Sequence, residues 1–193
     1  EVDDVQKLAR IKQNGPTYHI YPGSVHTRLS HSMGVYHLGR QILLSLSKKS
    51  EELPFTEKGM MSFLVACLLH DIGHFPYAHS LKELAIRDHE ELAGEMILER
   101  EELGKAVENT GADREMTAAI IDKDLLTSDD ETLFYRNVLS GTLDPDKLDY
   151  LSRDGFFAGV PYGKQDTDFI ISSFAYRNSR LCIDKAAISS VEQ

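Results

Sequence analysis

The chain has little cysteine, little positive charge and no long apolar run. Cys67 and Cys182 are its only cysteines and form no CxxC pair, so a reducing cytoplasm is the expected setting. Lysine and arginine total 21 against 31 aspartates and glutamates, a formal net charge of −10. That balance argues against an extended nucleic-acid surface, which needs a basic stripe, and still allows a local basic pocket for phosphate. The longest wholly apolar run, FLVACLL, is far short of a membrane span. EVDDVQKLAR does not read as a signal peptide. No internal repeat, low-complexity tract or dividing linker is visible, and 193 residues suit one domain with a sizeable core.

The informative stretch begins in EKGMMSFLVACLLHD, residues 57–71, which is apolar on nearly every face and so reads as a helix buried on all sides. It closes on His70 and Asp71. A histidine and a carboxylate at the inner end of such a segment are costly to desolvate unless something neutralises the charge. A divalent cation does so, because imidazole nitrogen and carboxylate oxygen are ordinary ligands for zinc, manganese, iron or nickel. Neighbouring helical residues point about 100° apart, so two of them meet one ion only at a helix end, with partners from elsewhere. His31 supplies one: on a helix near 30–48 it shares a stripe with Val35, Leu38, Ile42 and Leu46. Asp146 supplies the other, in LDPDKLDYLSRD, where Asp144 reads as the N-cap and Pro145 as the first helical residue. Asp146, Tyr150 and Asp154 follow at intervals of four on one face, with Lys147 beside them. Asp149 and Arg153 read as a helix salt bridge, and His19, His26 and His37 as structural or surface groups.

Further helices are expected near 87–103, 113–123, 130–139, 145–154 and 167–175, with Ser128 and Glu131 as a capping box for the third of these. RLCIDKAAIS alternates about an Asp-Lys turn and reads as a small hairpin, and GFFAGVPYGKQD reads as a loop.

The ordered set His31, His70-Asp71, Asp146, within HTRLSHSMGV, LLHDIGHFPYAHS, DHEE and LDPDKLDYLSRD, resembles the HD-domain metal-dependent phosphohydrolases. Within them it is most similar to the deoxynucleoside triphosphate triphosphohydrolase branch. The upstream IKQNG and YPGSVHTR extend the likeness, which runs from about residue 8 to 185. The resemblance implies an all-α fold with a small C-terminal hairpin, and one domain over 1–193 that is part of a longer chain. It implies His31, His70, Asp71 and Asp146 as ligands of a divalent ion, which those ligand types leave open among manganese, iron, zinc, nickel, cobalt and magnesium. His74, His79 and His89 would serve as acid-base groups. Arg28 and Lys147 would meet phosphate, Gln13 and Asp154 the sugar 3′-hydroxyl, and Tyr150 the deoxyribose. Lys82 stands where the resembled enzymes commonly carry an acid that supports the histidine matching His79, and Glu83 follows it. The implied reaction is hydrolysis of a deoxynucleoside triphosphate to deoxynucleoside and tripolyphosphate, with a possible nucleotide effector and a homo-oligomer. The alternatives are an HD-type nucleotidase or phosphodiesterase, and a catalytically weak nucleotide-binding regulatory module.

Overall fold

The computed structural model describes residues 2–50, 53–76, 87–163 and 165–184. Among them the regular elements are helices, apart from one hairpin near the C-terminus and a single antiparallel bridge between Lys12 and Thr27. A short helix α1 (Asp3–Gln6) runs into 3₁₀ turns at Lys7–Arg10 and Gly15–His19, and then come α2 (Arg28–Lys49) and α3 (Glu57–Leu69). After them follow α4 (His89–Glu99), α5 (Glu101–Asn109), α6 (Arg114–Ile121), α7 (Asp130–Leu139), α8 (Pro145–Ala158) and α9 (Thr167–Ser172). Strands β1 (Phe174–Arg177) and β2 (Arg180–Ile183) pair antiparallel. No helix among the described residues is long and apolar enough to cross a membrane.

Two packing relations position the site. Helix α2 lies between α3 and α8, so His31, His70 and Asp146 arrive from three neighbouring helices. Behind them α3 packs on α6 and α7, with the Phe63 and Tyr135 rings stacked at 4.9 Å and both fully buried. The rigidity of that close-packed core fixes where α3 ends. Upstream, residues 11–13 run beside 26–28: Gln13 N–H donates to the His26 carbonyl at 3.0 Å, and Arg28 N–H to the Ile11 carbonyl at 2.9 Å. This brings Gln13 to the head of α2, where Thr27 caps the helix through its hydroxyl and Ser30 answers it.

Four local expectations are corrected. The helix expected over 87–103 is two helices, broken at Arg100, whose backbone is extended (φ −83, ψ 112). The Arg114 guanidinium takes the Ile97, Leu98 and Arg100 carbonyls at 2.6, 2.7 and 3.3 Å, and so occupies acceptors at the break. Asp129, not Ser128, caps α7, accepting from Thr132 N–H at 2.8 Å, while Glu131 accepts from the Thr56 N–H and hydroxyl at the head of α3. Helix α8 continues past 154 to Ala158 and ends at Gly159 in the left-handed region (φ 69). The last helix ends at Ser172, and a hairpin follows that turns at Asn178 and Ser179, with φ of 50 and 59; the Asp-Lys turn expected at 184–185 runs into Lys185, outside the described residues. Two successive left-handed residues match the twist of a tight two-residue hairpin, so residues 174–177 form a strand where the last helix was expected to continue.

Candidate metal centre

His70 closes α3, and its Nδ1 lies 2.9 Å from the Cys67 carbonyl oxygen. A carbonyl only accepts, so Nδ1 carries the proton and Nε2 presents a lone pair. His31, fully buried on α2, repeats this with its Nδ1 2.8 Å from Asp149 Oδ2. The two Nε2 atoms face the same carboxylates. Asp146 Oδ1 is 2.9 Å from His31 Nε2 and 3.7 Å from His70 Nε2. Asp71 lies 3.9 Å from the first through Oδ2 and 3.5 Å from the second through Oδ1.

Neither Nε2 has a hydrogen-bond partner among the described residues, although both are buried. Lone pairs converging on carboxylate oxygens repel unless a positive charge lies among them, and a divalent cation is the chemistry that donor set fits. The ligand atoms of His31, His70 and Asp71 all lie within 4.8 Å of one another, close enough to share one ion. In the metal-free protein a proton supplies that positive charge in place of an ion. Burial opposes a charge on His31, yet Asp146, Asp149 and Asp71 outweigh it and raise its pKa from 6.5 to about 9. Burial is likewise outweighed at His70, by Asp71 and Asp146. Burial would raise Asp71 and Asp146, but the surrounding cationic groups hold both well below the usual carboxylate range.

Other expected site residues fall around this centre. His74 is buried with Nε2 3.3 Å from Asp71 Oδ1, and its ring stacks on His89 at 3.9 Å. The stack is possible because Gly73 is bare: a Cβ there would sit 2.1 Å from the His89 carbonyl oxygen. His89 opens α4 and is 30% exposed, so it stands at the solvent side of the pair. Arg28 turns inward, its Nη1 2.5 Å from Asp71 Oδ2 and its Nε buried without a partner among the described residues. Gln13 Oε1 is buried and unpartnered in the same sense. Tyr150 is half-buried on α8, one turn after Asp146.

Lys147 is committed elsewhere, its ammonium bonding the Gly141 carbonyl at 2.8 Å and pairing with Asp144, so a phosphate would compete with both. His79, Lys82 and Glu83 lie outside the described residues. Sequence reasoning missed two contacts. His26 is buried, holds Asp154 Oδ1 through Nε2 at 2.7 Å and stacks on Phe157. Asp149 serves His31 as well as Arg153. Its place three residues after Asp146, on the same helix face, was the available signal for Asp149.

Three neighbouring helices thus bring His31, His70, the buried Asp71 and the partly exposed Asp146 together, a donor set that suits the metal-dependent hydrolase class. The HD domain family profile matches residues 28–152, and the chain belongs to that family. It is 38% identical over 184 residues to an uncharacterized MG461 homologue of Mycoplasma pneumoniae, covering 89% of this chain and 41% of that protein. The deoxynucleoside triphosphate triphosphohydrolase SAMHD1 of Bos taurus is 40% identical over 74 residues, 38% of this chain and 13% of that one. A phosphohydrolase of Bacteroides thetaiotaomicron superposes with a TM-score of 0.82 at 31% identity, covering all of this chain and 46% of its own. The chain thus spans less than half the length of each of these relatives.

Proposed function

We propose that this protein hydrolyses deoxynucleoside triphosphates, releasing deoxynucleoside and tripolyphosphate, with a divalent ion held by His31, His70, Asp71 and Asp146. The observation that carries the reading is a pair of buried polar atoms without a partner among the described residues: Arg28 Nε, a donor suited to a phosphoryl oxygen, and Gln13 Oε1, an acceptor suited to a sugar hydroxyl. When bound, the ion polarises a phosphoryl oxygen and lowers the pKa of water towards about 7. Water adds to the α-phosphorus, the bond to the sugar 5′-oxygen breaks, and that oxygen takes a proton. His74 and His89 are the described candidates for moving it, with His89 exposed enough to exchange protons with solvent. His79 belongs to the same group in this reading. Asp154, held by His26 through Oδ1, would meet the 3′-hydroxyl, and the bulk of Tyr150 disfavours a 2′-hydroxyl. Lys147 becomes a second phosphate contact only by releasing Asp144. A nucleotide effector, self-association and a cytoplasmic setting belong to the same proposal.

A nucleotidase or phosphodiesterase is the second reading, and it too rests on an observation. The two cations assigned to phosphate are both engaged, Arg28 with Asp71 and Lys147 with Asp144, which is thin for three phosphates. Chromatography of products from the full-length protein, loaded in turn with manganese, iron, cobalt or magnesium, tests the choice. Equimolar deoxynucleoside and tripolyphosphate, with inhibition by added tripolyphosphate, is the expected result. Nucleoside mono- or diphosphates as products, or no turnover with any metal, would overturn it.

A further inference from the structure

We propose that Asp149 is a positioning residue for the metal, acting through His31, and that Arg153 and Gly34 exist to hold it there. This rests on the ligand assignment proposed above. A salt bridge to Arg153 alone would leave Asp149 free to sit on the surface. Instead it is 7% exposed and carries three bonds: Oδ1 accepts from Arg153 Nη2 at 2.8 Å, and Oδ2 from Arg153 Nε at 2.7 Å and His31 Nδ1 at 2.8 Å. The bidentate arginine fixes the carboxylate plane, and the carboxylate fixes the ring. Together they specify one tautomer, with the proton on Nδ1 and the lone pair of Nε2 turned to the metal side. An anionic acceptor on Nδ1–H also makes Nε2 a stronger donor than a neutral acceptor would.

Room for this arrangement comes from α2. Gly34 lies three residues after His31, hence on the same face. A Cβ at Gly34 would lie 1.9 Å from Asp149 Oδ1 and 2.4 Å from Arg153 Nη2. Asp149 and Arg153 therefore pack against bare backbone, and any side chain at position 34 pushes them away from His31.

The test uses the full-length protein, manganese dialysis well below the melting temperature, and proton NMR of the cobalt-loaded form. Asp149→Asn keeps the shape and removes the charge, and it should weaken manganese binding about 10- to 100-fold. Gly34→Ala should act in the same direction. Loaded with cobalt, the parent should show two exchangeable, hyperfine-shifted imidazole N–H signals, from His31 and His70. One of them should move or vanish in Asp149→Asn. A purely structural salt bridge would lower the melting temperature and leave affinity and both signals unchanged, which would overturn the proposal. Should Asp149→Asn fail to fold, a parent spectrum with fewer than two such signals overturns it equally. His70→Ala run alongside separates the layers. Binding lost there but unchanged in Asp149→Asn removes the role of Asp149 alone, whereas binding kept in His70→Ala removes the ligand assignment and this inference together.

Discussion

Asp146→Ala is expected to lower turnover by at least about a thousandfold while the protein stays folded. Charge stabilisation by a divalent ion at a phosphoryl centre is worth several kcal/mol, and about 4 kcal/mol is a thousandfold in rate. Asp146 is the exposed member of the set, its side chain 36% accessible, so its removal opens no cavity in the core. It sits in the first turn of α8, where a carboxylate favours the helix dipole by about 0.3–1 kcal/mol. The metal-free variant should keep a cooperative urea transition, lowered by the lost pairing with His31 and His70, as activity collapses. Turnover within about tenfold of the parent, in a folded variant, would exclude Asp146 from the chemistry.

The second large effect is on stability. Arg28 lies in the first turn of α2, where a cation opposes the helix dipole, and its side chain is 4% exposed. Its charge is met by Asp71 at 2.5 Å, itself 5% exposed. Removing one partner of a buried pair leaves an uncompensated charge and costs about 3–5 kcal/mol. Asp71→Asn should show a loss of that size in urea unfolding with chelator present, which separates it from any effect of lost metal. Adding Arg28→Met should restore most of the loss, because the unpaired cation is gone. A loss below about 1 kcal/mol in the single variant would mean that Arg28 finds another acceptor.

The sequence carried the centre itself, because a histidine-aspartate pair ending an all-round apolar helix leaves few uses for those side chains. The stripe with Val35, Leu38 and Ile42 made His31 a candidate and the capped helix start made Asp146 one, while only the joint pattern with His70-Asp71 singled them out as ligands. Two of the local errors share a cause, a partner distant along the chain. The break at Arg100 is made by Arg114 taking carbonyls across the fold. The α7 cap moved to Asp129 while Glu131 was drawn to Thr56, 75 residues away. Phe174 is buried at the start of the strand that precedes Asn178-Ser179, a packing relation that the alternation of residues 180–189 does not reveal. The second bond of Asp149 could not be read because it spans 118 residues and needs α2 and α8 in contact. His26 and Asp154 are paired across 128 residues in the same way.

Anomalous diffraction from manganese-soaked crystals of the full-length protein tests the central claim most directly. The account predicts one strong peak enclosed by His31 Nε2, His70 Nε2 and the carboxylates of Asp71 and Asp146, absent in the Asp146→Ala crystal. A peak held by other residues, or none at a saturating manganese concentration, would contradict it.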